Sequence, residues 1–252
     1  MNPHDTTKEF ERALCEYTGA KYAVTTNSCT NALLIACAWH EHVHGSVNLE
    51  IPCRTYVSVP QSAITAGHTV TFNDYEWFGE YQLKPSPIWD SARRFTSGMF
   101  RPGQMQCVSF HISKILGLDQ GGAVLHDNDE ADAWLRKARF DGRTSGVEPK
   151  YDTFTRGFHC YLSPTIAAQG LWRLSFLPKH NDDLPNDPYP DLSKVPLFQS
   201  QDGRLGRTSL RTLLRNSPVT TVEASKRRND SSERLVRLGQ MPSNYRLIAP
   251  TS

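Results

Sequence analysis

A chain of 252 residues is long enough for one large α/β domain, or one domain with a small annex. Its 28 basic residues against 26 acidic ones leave a formal net charge of +2, and no nucleic-acid reading motif accompanies that near-balance. No apolar run is long enough to span a bilayer, the N-terminus has no leader-like apolar stretch, and six scattered cysteines show neither a CxxC pair nor zinc-ligand spacing.

Those features make a cytoplasmic protein with reduced thiols the expectation, with no metal, no membrane and no nucleic-acid partner. The charge is nevertheless segregated. Residues Gln201 to Leu238 hold nine Lys/Arg against four Asp/Glu. A solvated basic surface is the plain reading of that window, and a site for an anionic ligand such as a nucleotide diphosphate is the sharper one.

In chain order, Thr6 or Thr7 is expected to cap a helix running to about Thr18, with Phe10, Ala13, Leu14 and Tyr17 at helical spacing. Lys21–Thr26 reads as a strand, followed by the small polar turn Asn27-Ser28-Cys29-Thr30-Asn31 and a helix from Ala32 to Trp39. A strand, a polar turn and a helix N-terminus in succession aim several backbone N–H groups one way, which makes a phosphate cradle; an ordinary N-cap explains the same residues. Val47–Ile51 is the next strand, then a helix over Val57–Ala66, a strand over Thr69–Phe72, an aromatic-rich link over Tyr75–Pro87 and the short strand Ile88-Trp89-Asp90. Cys107–Phe110 reads as a strand, Lys114 stands on the turn after it, and Gly121-Gly122 opens a further apolar run to Leu125. Asp129–Phe140 is amphipathic, Gly142–Thr155 is a loop, and Ser163 with Pro164 starts a helix to about Leu177. The Pro- and Asp-rich stretch Asp182–Pro196 reads as a linker, Leu205–Arg215 as one helix, and the residues beyond Ser217 as unstructured.

Alternating strands and helices predict an α/β fold, a mostly parallel sheet flanked by helices. Ligands of such sheets sit outside the carboxyl ends of the strands. Ser28, Tyr56, Asp90, Ser109 and Lys114 all fall just past predicted strand ends, so they are expected to share one crevice. A desolvated lysine loses its proton and attacks a carbonyl as a free amine. A lysine, a buried carboxylate, an aromatic ring and a phosphate cradle together are what pyridoxal phosphate requires.

The sequence resembles the DegT/StrS-type sugar aminotransferases, fold-type I pyridoxal phosphate enzymes. The likeness runs through five stretches in order: Phe10 to Val24 with Asn27-Ser-Cys-Thr-Asn-Ala-Leu33; Pro52-Cys-Arg-Thr-Tyr-Val-Ser58; Trp89-Asp-Ser-Ala92; Ser109-Phe-His-Ile-Ser-Lys114 with Gly121-Gly122-Ala123; and Gly157 to Pro164. The resemblance implies that Lys114 and Asp90 are catalytic, with Asp90 on the pyridine nitrogen. It implies cofactor contacts from Ser28, Cys29, Thr30, Tyr56, Arg93, Ser109 and His159, with Tyr56 stacked on the ring and His159 reaching a neighbouring subunit's cofactor. It further implies pyridoxal 5'-phosphate, glutamate as amino donor, a nucleotide-linked keto-sugar as acceptor, and a homodimer.

The sequence departs from the family pattern at several places. Arg93 stands where a glutamine is usual, His159 where an asparagine is, and Tyr161 where an arginine is. A strand and a helix are missing between Asp74 and Ile88, and the C-terminal part is short. The expected organisation is a cofactor-binding large domain over 1–180 and, over 181–252, a linker with an abbreviated, partly disordered C-terminal domain. The shortening also fits a degenerate homologue that binds the cofactor without transaminase turnover.

Overall fold

The structure, a computed structural model, describes residues 4–199. The expected helix Leu205–Arg215, the basic window and the stretch beyond Ser217 lie outside the described residues. The described elements are α1 (His4–Thr18), β1 (Tyr22–Thr26), α2 (Cys29–His44), β2 (Asn48–Pro52), α3 (Ser58–Ala66), β3 (Thr69–Asn73), β4 (Tyr81–Gln82), β5 (Ile88–Asp90), β6 (Met105–Ser109), β7 (Gly122–His126), α4 (Asp129–Ala138) and α5 (Pro164–Phe176). Because α1 already begins at His4, neither Thr6 nor Thr7 caps it. The second helix starts at Cys29, three residues ahead of expectation, because Ser28 Oγ accepts the Asn31 N–H at 3.2 Å and closes the first turn. At α5 the expected cap is present: Ser163 accepts the Thr165 N–H, with Pro164 at the first position. Among the described residues, no helix is long and apolar enough to cross a membrane.

The α/β class holds, but strand directions are mixed rather than mostly parallel. The main sheet has the order β1-β7-β6-β5-β4, and β2 pairs with β3 beside it. Only β5–β6 and β2–β3 are parallel; β1–β7, β6–β7 and β4–β5 are antiparallel. Connection length accounts for part of this pattern. A parallel return needs a long crossover, which α3 supplies between β2 and β3. The link 83–87 is too short for a crossover, so β5 turns back on β4; β7 returns antiparallel on β6 after 110–121, although β6 runs parallel to β5 after the equally helix-free 91–104. Paired backbone hydrogen bonds between Glu50 and Lys84 (2.8 and 3.1 Å) join the two sheets.

Side chains alternate across the sheet with the period of two. Val24, Cys107 and Val124 enter one core with α2, α3 and α4, while Ala23, Val108, Ala123 and Leu125 enter the other with α1 and α5. Helix α2 is buried along most of its length, at Ala32, Leu33 and Ile35 through Ala38, so its N-terminus is held firmly at one edge of the sheet. On the opposite face, Gly170 lets α5 meet α1, since a Cβ there would lie 2.5 Å from the Phe10 ring.

Between β3 and β5 the chain has β4 and no helix, so the link is as brief as the sequence suggested. The Asp182–Pro196 stretch has little regular structure beyond the 3-10 turn Leu192–Lys194 and the start of another at Pro196–Phe198, but it is no free linker. Leu184 N–H donates to Arg93 O and Leu192 N–H to Cys53 O, both at 2.9 Å, and Leu192 is buried.

Candidate active site

Sheet register brings the candidate residues together. Thr26 and Ser109, the last residues of β1 and β6, both face Gly122, the first of β7. Asp90 ends β5, which runs parallel to β6. One edge of the sheet therefore carries Asp90, Ser109 and the start of α2. A Cβ on Gly122 would sit 2.5 Å from Cys29 N, so only glycine lets β7 pass this close beneath the polar turn. Above that edge is a cavity of about 300 Å³ lined by Ser28, Cys29, Thr30, Tyr56, Asp90, Arg93, Ser109 and Lys114, eight of the nine residues singled out in the sequence.

At one end, the first-turn N–H groups of α2 precede the intrahelical ladder and point outward. Hydroxyls of Ser28, Thr30, Ser58 and Ser109 surround them, with Thr30 Oγ1 and Ser58 Oγ 2.8 Å apart. This donor set suits a phosphate. Nearer the middle, Asp90 is buried at 4% exposure and accepts hydrogen bonds from Tyr81 OH (3.0 Å) and Ala92 N–H (3.0 Å). Burial raises its pKa above the ordinary carboxylate value, against those two donors and the charges of Lys114 and Arg93. A cationic ring nitrogen placed here would relieve that cost.

Lys114 projects from the turn after β6, its N–H bonded to His111 O at 2.7 Å. Burial and the neighbouring Arg93 charge lower its pKa below the usual amine value, while Asp90, Asp187 and Cys29 act the other way. The amine is thus partly activated before any ligand arrives. Burial next to Asp90 pushes the Cys29 thiol well up, which keeps it protonated at neutral pH.

The ninth residue, His159, is not in this cavity. Its exposed ring lies 3.1 Å from the Asp141 carboxylate oxygens. Arg93 lines the cavity, but its Nη atoms are bound by Pro185 O, the Asp187 carboxylate and Tyr189 OH, so the guanidinium is directed at the 185–189 segment. Tyr56 stands at the mouth, 57% exposed, its ring edge-on to Tyr189 at 6.4 Å.

Sequence reasoning missed Tyr81, Trp77, Asp187 and Tyr189. Tyr81 holds Asp90 and is itself held by Thr55 Oγ1 at 2.6 Å. A hairpin signal was available for it: Tyr81 pairs directly with Asp90 across the short link 83–87. No local pattern marks the other three, which meet the cavity only through tertiary packing.

The DegT/DnrJ/EryC1/StrS aminotransferase family matches this chain over residues 2–101 and 97–183. A UDP-4-amino-4,6-dideoxy-N-acetyl-beta-L-altrosamine transaminase of Campylobacter jejuni is 25% identical over 240 aligned residues, covering 76% of this chain and 63% of that protein. Among solved structures, a DegT DnrJ EryC1 StrS aminotransferase from Brucella abortus superposes with a TM-score of 0.56 at 20% identity, covering 68% of this chain and 58% of that one. Helicobacter pylori PseC, an aminotransferase involved in the biosynthesis of pseudoaminic acid, gives a TM-score of 0.57 at 18% identity, covering 68% and 57%. The chain spans less than two thirds of the length of these relatives. At these identities the solved structures establish the fold, that of the fold-type I aminotransferases, while the family match carries the identity. With that match running through the polar turn, the Asp90 strand and the Lys114 turn, the chain belongs to the DegT/DnrJ/EryC1/StrS aminotransferase family.

Proposed function

We propose that this chain is a pyridoxal 5'-phosphate-dependent aminotransferase that passes an amino group from glutamate to the keto group of a nucleotide-linked sugar. The observation that carries the reading is the convergence of Lys114, Asp90 and the α2 N-terminus on one cavity. The family match and the C. jejuni transaminase support the sugar substrate. The reading extends to a homodimer in the cytoplasm, with residues 1–180 as the cofactor-binding body and 181–252 as the segment that follows it. His159, exposed and outside the chain's own cavity, is available to a second copy.

When bound, pyridoxal phosphate supplies an aldehyde that carries nitrogen and a ring that takes up the electron pair freed at the substrate carbon. The protein supplies the rest. The N-terminus of α2, with Ser28, Thr30 and Ser109, holds the phosphate dianion against the helix dipole. Asp90, oriented by Tyr81 and Ala92, would hold the ring nitrogen and favour its protonated form. Tyr56, at the cavity mouth, would supply the aromatic face for the ring. Lys114, its amine pKa lowered by burial and by Arg93, would be the group that anchors the cofactor and would serve as the proton-transfer base and acid.

The test is to add pyridoxal phosphate to the purified full chain and follow absorbance near the visible edge, then glutamate, then a panel of keto-sugar nucleotides. Borohydride reduction and peptide mapping are expected to place the adduct on Lys114, and glutamate to bleach the band. Cofactor capture with no response to glutamate would support the degenerate binding module instead.

A further inference from the structure

The segment expected to be a linker is a wall of the cavity. It is pinned at both ends: the Asp183 carboxylate takes Arg94 Nη1 at 2.9 Å, and Leu184 and Leu192 are tied by backbone bonds to Arg93 and Cys53. Between those pins, Asn186 Nδ2 donates to Trp77 O, and the Tyr189 ring lies parallel to Trp77 at 6.5 Å and 10°. The Arg93 side chain is only 7% exposed, faces the Lys114 cavity, and spends both Nη atoms on this strap. Its carboxylate partner, Asp187, is 64% exposed on a stretch without helix or strand.

A buried guanidinium requires a carboxylate, and removing the one it has leaves an uncompensated charge. Exchange of one carboxylate for another is the displacement that avoids this. Arg93 offers a planar pair of donors suited to a carboxylate, and the exposed Asp187 can swing into solvent with little loss of packing. We propose that Arg93 is the receptor for a carboxylate of the amino donor, and that Asp187 occupies it at rest as an internal stand-in. The assignment rests on the aminotransferase reading for the identity of the donor. Nη1 stays on Pro185 O, so a displaced Asp187 leaves Nη2 beside Nε, a buried donor with no hydrogen-bond partner among the described residues, as the pair for an incoming carboxylate.

The experiment is calorimetric titration of the cofactor-loaded full chain with glutarate, a dicarboxylate with no amino group to react, and with its uncharged diamide as control. Wild type is expected to bind glutarate and not the diamide. Asp187→Ala, which removes the internal competitor, should bind glutarate about tenfold tighter or more, since apparent affinity scales with the open fraction. Arg93→Gln should lose binding, and a thermal melt of each variant identifies any that fail to fold. Asp187→Ala is the decisive variant, because unfolding cannot produce a gain in affinity. Equal or weaker binding by Asp187→Ala, or unchanged binding by a folded Arg93→Gln, overturns the proposal. A missing adduct at Lys114 would instead count against the aminotransferase reading; the same titration without cofactor then still reports on Arg93.

Discussion

Replacing Lys114 with alanine removes the amine at the centre of the cavity, and turnover should fall by about 10²–10⁴-fold from the lost proton transfer alone. The same variant should show no borohydride-reducible adduct, read by peptide mass. Because burial and Arg93 lower the Lys114 pKa, competitive acetylation of the cofactor-free chain should give it a midpoint below the ordinary 10.5. A midpoint at or above that value would refute the activated-amine account. Tyr81→Phe tests the support of Asp90. It removes one of two donors to the carboxylate and leaves Ala92 N–H in place. Cofactor affinity, followed by spectral titration, should weaken by about tenfold, the usual worth of one hydrogen bond to a charged group.

At the scale of elements, two glycines separate site geometry from general packing. Gly122→Ala pushes β7 away from the polar turn at Cys29, so it should cost about 1–3 kcal/mol of stability and weaken cofactor binding together. Gly170→Ala drives a methyl into the Phe10 ring between α5 and α1, neither of which lines the cavity. It should destabilise by a similar ~1–3 kcal/mol while cofactor affinity in the folded protein stays unchanged. Denaturant midpoints and spectral titration of both variants check the contrast. Another joint is Glu11 on α1, 4% exposed, which accepts from Thr25 N–H on β1 and pairs with Arg136 and Arg139 at the end of α4. Burial would raise its pKa, but Arg139 and Arg136 outweigh it and hold the carboxyl at about 2. Glu11→Gln takes the carboxylate from Arg139, while Arg136 keeps Asp132, so a loss of about 3 kcal/mol is expected in urea unfolding at pH 7.

For the whole molecule, three buried groups contribute to the loss of stability in acid. Burial, with help from the charges of His68 and His44, lowers His40 to about 4, and burial lowers His126 to about 4. Above pH 6.5 both are neutral folded or unfolded and add no slope. Between 6.5 and 4 the unfolded chain binds the protons, so stability drops by roughly 1 kcal/mol per pH unit for each histidine. Glu11 acts lower down: its contribution is full above 4.5 and is lost as pH falls toward about 2. Urea midpoints from pH 7 to 4 should therefore fall steadily, and His126→Leu should flatten the slope by about one proton. An unchanged slope in that variant would remove His126 from the account.

Local patterns in the chain were enough to determine the α/β class, most element positions and the residues around Lys114. Strand ends, caps and the Gly-Gly pair act over a few residues: Asp90 and Ser109 end strands, and Ser28 and Lys114 follow strands within a few residues. Tertiary structure alone decided the strand directions, because links without helices, 91–104 and 110–121, lead to a parallel neighbour in one case and an antiparallel one in the other. It also decided the roles around the rim. The Pro- and Asp-rich segment reads as solvent-exposed chain, yet its order comes from contacts with Arg93, Cys53 and Trp77, which lie about a hundred residues or more away in sequence. Binding groups that far apart depends on where the folded sheet places them, and no window of sequence contains that distance.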